Sequence, residues 1–255
     1  MVIQVEKLLI QLQKLGVHSI KNNKSIMLEV LKYNKSHVME IDRLLNELIN
    51  EMQNSTWNKI LLECPRQLLN NLRYTKTNMN ITGERVVYTM ELLDSDDFSV
   101  PKFEVWPINQ ENSIRLLSEV LQVTLNHAEV FLQQMKEELP DQAEKMFTVY
   151  KVNTIPVGIV LPHIEPLTNN EGRLFWIGIH PNYLGKGFGK DLHAIGLYRL
   201  KKDFHAECYV GITQIDNCAM RKIMQSNGCV ESEHILASLE YVHDSTLKKS
   251  DCMDI

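Results

Sequence analysis

The sequence predicts an α/β (α+β) protein in two parts, a smaller N-terminal one and a larger C-terminal one. Three observations carry that expectation. Apolar runs of strand length alternate with stretches of helical period. One strand-to-helix junction carries three glycines, Gly185, Gly187 and Gly189. An acidic, serine-containing stretch ending in proline, Asp94–Pro101, reads as a linker and sets domains at 1–95 and 101–245.

In the first part, Val38, Ile41, Leu45, Leu48 and Met52 recur at helical spacing, with Asn34 or Ser36 as the cap. Lys59–Cys64 is an apolar run stopped by Pro65, hence a strand. A short helix over Gln67–Arg73 and a strand from Glu84 follow. In the second part a short strand starts at Phe103, and Glu111–Leu139 reads as two helices ended by Pro140. MFTVYKV and IPVGIVLP form a hairpin turning at Asn153 and Thr154. Arg173–Pro181 reads as a buried strand. After the glycines comes a helix with Leu192, Ile195, Gly196 and Leu200 on one face. AECYVGIT is a further strand, Asn217–Ser226 a helix ended by Gly228, and the remainder is strand-rich to about His243, with a frayed tail.

Composition narrows the function. A chain of 255 residues, 44% hydrophobic and 23% charged, buries a sizeable core. The net charge is −5 and no stretch is strongly basic, so no nucleic-acid partner is expected. No apolar run approaches a membrane span, and the N-terminal MVIQVEKLLIQLQKLG lacks a signal peptide's unbroken apolar run. The five cysteines are scattered with no C-x-x-C pair, which argues against a disulfide framework and a structural zinc site. Reduced thiols point to the cytoplasm. Neither a metal site nor an oligomeric state is indicated.

The informative stretch is HPNYLGKGFGKDL, His180–Leu192. Glycines permit positive φ and close backbone approach, so such a turn aims successive N–H groups at one point, at the positive end of a helix. That arrangement suits a pyrophosphate, and Lys186 and Lys190 add positive charge. A Walker A loop is excluded because Gly185 to Gly189 is one residue too short and Asp191 stands where Ser or Thr must be. The dinucleotide fingerprint fails because the third glycine comes a residue early.

These residues resemble the Gcn5-related N-acetyltransferase (GNAT) family. Its signature is a strand ending near Val-x-Pro and then [Arg/Gln]-x-x-Gly-x-[Gly/Ala] opening a helix. Here Ile179-His180-Pro181 precedes Leu184-Gly185-Lys186-Gly187-Phe188-Gly189, with Leu184 in place of the usual Arg or Gln. A second match is Asn217, Met220, Ile223 and Gly228, at the family's spacing after its fifth strand. The resemblance covers Phe103 to about His243 and implies a mixed central sheet flanked by helices. It also implies acetyl-CoA as co-substrate, held by the glycine turn from Leu184 to Lys190, by backbone N–H groups at Ile177 and Ile179, and by Asn217. The acceptor is then a small-molecule or peptide amine. The region Lys59–Leu93 is similar to the last third of the same fold without its glycine turn. A degenerate GNAT-like half and an unrelated domain both stay open for the N-terminal part.

The reaction this implies is direct attack of an amine on the thioester. Glu171, eight residues before Ile179, is the candidate general base, as in some family members, with His163, Glu165 and His180 as rivals. The family's usual acid, a tyrosine four residues before Gly228, is Met224 here. Tyr183, Tyr209 and Cys229 are near in sequence but at unmatched positions. The missing tyrosine keeps a second class of function open, a non-catalytic acyl-CoA-binding regulatory module.

Overall fold

A computed structural model describes residues 2–22, 25–30, 33–52, 57–92 and 99–243. In chain order the first elements are α1 (Val2–Lys14), β1 (Val17–Lys21), β2 (Ser25–Val30), α2 (Val38–Met52), β3 (Lys59–Pro65), α3 (Arg66–Leu69), α4 (Arg73–Asn78) and β4 (Asn80–Glu91). There follow β5 (Phe103–Val105), α5 (Glu111–Leu121), α6 (Leu125–Glu138), α7 (Ala143–Met146), β6 (Thr148–Val152), β7 (Ile155–Ile164), β8 (Glu171–Ile179), α8 (Phe188–Lys202), β9 (Cys208–Gln214), α9 (Cys218–Ser226) and β10 (Val230–Val242). The chain forms two compact units, Met1–Val86 with Glu233–Ile255, and Val87–Ser232. This division departs from 1–95 and 101–245 because β10 from Leu236 onward pairs with β3, which draws the C-terminal strand into the first unit. Of the linker, residues 94–98 lie outside the described residues, as does the tail from 244.

In the first unit the strand order is β1-β2-β3-β10-β4. α1 buries Val5, Leu8, Leu9 and Leu12, a helical stripe on one face. α2 follows a 3-10 turn whose start is capped by Asn34, its side chain accepting from Ser36 N. The helix expected over Gln67–Arg73 is two short ones, α3 and α4, and β4 starts four residues before Glu84. α4 is anchored from α2. The buried Asp42 carboxylate accepts from Tyr74 N (3.0 Å), Thr75 N (2.9 Å) and Thr75 Oγ1 (2.8 Å).

In the second unit the order is β4-β9-β8-β7-β6-β5, with β5 to β8 antiparallel to their neighbours and β8 parallel to β9. β7 is the central strand. Val157, Ile159, Val160 and Leu161 are each at most 1% exposed, with roughly 1.5–3 kcal/mol of transfer free energy per side chain. One face packs on α5, α6 and α7, through Leu117, Leu132, Met135 and Phe147. The other packs on α8, through Leu192 and Ile195. Asn153 and Thr154 make the two-residue turn of the β6–β7 hairpin, both at positive φ (49° and 71°). The break between α5 and α6 falls at Gln122, in the left-handed region at φ 57°.

Candidate active site

The glycine turn lies where β8 hands over to α8. His180 N donates to Val157 O (2.9 Å) as the last bond to β7, and a 3-10 turn over Pro181–Tyr183 follows. Gly185 and Gly187 then stand at φ 76° and 82°, a conformation that costs L-residues about 1–3 kcal/mol. A Cβ on either would meet no described atom within 4 Å, so both face open space. Gly187 is the N-cap of α8 and no described side chain caps that helix; Lys190 N donates to Gly187 O (3.3 Å), and the N–H groups of Phe188 and Gly189 before it are left for an external acceptor. Gly189 has a different task. A Cβ there would fall 2.7 Å from Ile223 Cδ1, so the third glycine lets α8 pack on α9. Leu184, Lys186 and Lys190 are exposed, and Lys186 Nζ sits 4.9 Å above the Tyr183 ring. Phe188 is half-buried, edge-on to Tyr150, whose hydroxyl bonds Asp191 in the first turn of α8 (3.0 Å).

β8 was expected to be a buried strand, and most of it is only half-buried. Two features explain this. Its parallel pairing with β9 covers only Glu171 with Cys208 and Gly172 with Tyr209 among the described residues, so beyond Gly172 the ladder stops and leaves an opening along the β9-facing edge of β8. β8 also carries a bulge. Val160 faces Ile177 while Pro162 faces Leu174, so three steps along β8 match two along β7, and Phe175 and Trp176 share the place of one residue. Strand backbone alternates in direction, and His180 N–H points to β7. The N–H groups of Ile177 and Ile179 therefore point the other way, into the opening. Two donors line a gap that ends at the glycine turn.

Asn217 caps α9. Its Oδ1 accepts from Met220 N (3.1 Å) and its Nδ2 donates to Thr213 Oγ1 (3.1 Å), so the amide is engaged at both ends within the fold. Met224 is fully buried, and the Tyr209 hydroxyl donates to its sulfur. Tyr209 also bonds His193 Nε2 (3.1 Å), and Asn227 Nδ2 bonds His193 Nδ1 (3.0 Å). Burial holds the His193 imidazole down to about 4, and burial then the nearby Cys229 push the Tyr209 phenol far above its ordinary value. Burial raises Cys229 to about 11. This trio is a buried pin between α8, β9 and α9 and offers no ready proton at neutral pH.

Two of the rival bases, His163 and Glu165, come together with Glu171. Glu171 Oε1 accepts from Arg173 Nε at 2.6 Å, Arg173 Nη1 lies 3.5 Å from Glu165 Oε2, and that oxygen lies 3.2 Å from His163 Nε2. The cluster sits beside the closed end of the opening, on the α6 side of the sheet. Burial raises the Glu165 carboxyl, but the His163 hydrogen bond and the Arg173 charge outweigh it and leave it below its ordinary value. Burial and then Glu165 raise Glu138, at the end of α6. His180 is drawn off to Glu119 of α5 (3.5 Å). Arg173, the link between the three, was missed in the sequence, although its two-residue spacing from Glu171 puts both on one strand face. No group of three or more His, Cys, Asp and Glu suited to a metal gathers among the described residues. No helix among them is long and apolar enough to cross a membrane.

The first unit repeats part of this layout with the gap closed. β1 and β2 form an antiparallel hairpin, α2 follows, and β3 runs parallel to β2, as β7, β8, α8 and β9 do. There β2 and β3 pair over five residues, Ser25–Glu29 with Lys59–Glu63, and the stretch 31–37 before α2 contains no glycine.

No protein-family profile matches the sequence, and no curated protein does. Solved structures do match in shape. A tandem GNAT protein from the clavulanic acid biosynthesis pathway superposes with a TM-score of 0.63 at 11% identity, over 89% of this chain and 78% of that one. A GCN5-related N-acetyltransferase from Sphaerobacter thermophilus gives 0.60 at 11% identity, over 89% and 76%. Another from Kribbella flavida gives 0.58 at 9% identity, over 96% and 97%. The chain has the GNAT fold, a mixed α/β arrangement with helices against a central sheet.

Proposed function

We propose that the second unit is an acetyl-CoA-dependent N-acetyltransferase acting on a primary amine, small-molecule or peptide. The observation that carries this is the opening between β8 and β9, lined by the N–H groups of Ile177 and Ile179 and ending at the uncapped start of α8. The residues present fit the co-substrate. Within the turn from Leu184 to Lys190, whose two end N–H groups bond Pro181 O and Gly187 O, the N–H groups between them and two lysines are offered to a pyrophosphate. The β8 donors suit a pantetheine amide and the thioester carbonyl, whose developing negative charge they stabilise. Asn217 keeps one N–H and one lone pair for the pantetheine arm. Glu171 is the base that takes a proton from the acceptor ammonium. The thiolate leaves without a side-chain acid, which its pKa near ~8.5 permits around neutral pH. Among structural neighbours, one is named as a tandem GNAT protein. The closed β2–β3 pair supports reading the first unit as a degenerate GNAT-like half that binds no CoA by this route.

The test is thiol release from acetyl-CoA with a broad amine panel, together with calorimetric binding of acetyl-CoA. Binding and turnover are expected, with turnover lost in Glu171→Gln. The buried Met224 favours a second reading, a non-catalytic acyl-CoA-binding regulatory module. It predicts binding with no turnover on any amine.

A further inference from the structure

Glu171 does not stand alone at the closed end of the opening. Four side chains, His163 of β7, Glu165 just after β7, and Glu171 and Arg173 of β8, lie on one face of the sheet in an unbroken chain of contacts. His163 is opposite Arg173 in register. The backbone beneath is tied together. Glu165 N donates to Glu171 O (2.8 Å), and Thr168 Oγ1 accepts from Glu171 N (3.2 Å) and donates to Glu165 O (2.7 Å). Gln142 bonds both backbone groups of Ile164, at 2.7 and 2.9 Å. His163, 5% exposed, is wedged by the edge of Phe175, which is itself held by Phe131. Because Glu165 is an acceptor, the neutral ring carries its proton on Nε2. Nδ1 is left bare, buried and without a hydrogen-bond partner among the described residues. A bare acceptor is tolerated better than an orphan N–H, so the tautomer is fixed by the contact.

We propose that Arg173 is a positioning residue for the base of the acetyl transfer: His163 and Glu165 hold its guanidinium so that Nε fixes Oε1 of Glu171 and leaves Oε2 as the oxygen that takes the proton. This rests on the acetyltransferase reading above. A charge-assisted bond at 2.6 Å to one carboxylate oxygen removes the rotational freedom of the carboxylate and presents the other oxygen in one direction. The ammonium gives one proton to Oε2, and the nitrogen lone pair so freed attacks the thioester carbon. The C–S bond breaks with its electrons on sulfur, the amide nitrogen's surplus proton passes through water to the thiolate, and Glu171 releases its own proton to solvent.

The experiment compares two nucleophiles, an alkylamine that is protonated at neutral pH and methoxyamine, which is not. Methoxyamine needs no prior deprotonation and so bypasses the step that Arg173 serves. With the alkylamine, Arg173→Gln is expected to lower kcat by about 10- to 100-fold with the KM for acetyl-CoA unchanged, and Arg173→Lys to recover part of the loss. With methoxyamine, Arg173→Gln and wild type are expected to differ by less than about threefold. Glu165→Gln keeps the size of its side chain and is expected to follow the same pattern, so the idea stays testable should Arg173→Gln fail to fold. An equal loss with both nucleophiles would mean a structural role, and no loss with the alkylamine would mean no role; either overturns the proposal while the acetyltransferase reading stands. A wild type that acetylates neither nucleophile overturns both.

Discussion

The hydroxyl of Tyr209 lies 3.7 Å from the sulfur of Met224, and both crowd Gly211, where a Cβ would fall 2.3 Å from that hydroxyl and 2.7 Å from the sulfur. The position where the family resemblance places a tyrosine acid is thus filled by core packing. Met224→Leu roughly keeps the volume and should cost under about 1.5 kcal/mol in urea denaturation, with turnover intact. Met224→Tyr overfills the site and should cost about 1–3 kcal/mol without supplying an acid.

The glycines of the turn should separate by assay. Gly187→Val meets no described neighbour, so its stability cost is the backbone conformation alone, about 1–3 kcal/mol, while acetyl-CoA affinity in calorimetric titration should fall at least about tenfold. Gly189→Val presses on Ile223 and should act on stability, by about 1–3 kcal/mol, through the contact of α8 with α9. Equal acetyl-CoA affinity in wild type and Gly187→Val would remove the turn from the binding site.

His193 makes the fold acid-sensitive. Burial lowers its pKa from 6.5 to about 4, so the folded state resists a proton that the unfolded chain accepts. The stability from this difference is present above about pH 6.5 and is lost as the pH falls toward about 4, on the order of 3 kcal/mol in all. Denaturation measured from pH 7 to pH 4 should show this slope. His193→Gln should be less stable at neutral pH and show a shallower decline, and an unchanged slope would assign the acid loss to other groups.

Asp42 should be a critical residue of the first unit. It satisfies two backbone N–H groups at the start of α4 and one hydroxyl from a buried site. Asp42→Ala leaves all three unmet and should cost on the order of 2–4 kcal/mol. Thermal denaturation would register it, and a loss under about 0.5 kcal/mol would show that water replaces the carboxylate.

Much of this was legible because it depends on local rules. The glycine turn was visible because glycine accepts without strain the φ values of 76° and 82° that Gly185 and Gly187 adopt. The β6–β7 hairpin followed from turn residues between two apolar runs. α1 carries a readable apolar stripe, whereas β1 and β2 are short strands whose five- and six-residue patterns are too brief to separate from loop. The bulge in β8 is invisible to any alternation rule, since RLFWIGI is apolar on both parities. The bases could be enumerated but not ordered. Glu171, Glu165 and His163 are joined only by an arginine whose reach depends on the register of β7 with β8.

The bulge has a further consequence for how β8 tolerates change. Before it, Glu171, Arg173 and Phe175 stand on the α6 side and Leu174 on the α8 side; after it, Ile177 and Ile179 stand on the α8 side. One added residue shifts the reading frame of the strand. Because Phe175 and Trp176 both stand on the α6 side opposite Leu161, removing either would restore plain alternation and leave Ile177 and Ile179 on the α8 side with their amides toward the opening. Deleting one residue at the bulge would therefore cost the added local twist and one apolar side chain, not the two faces of the strand.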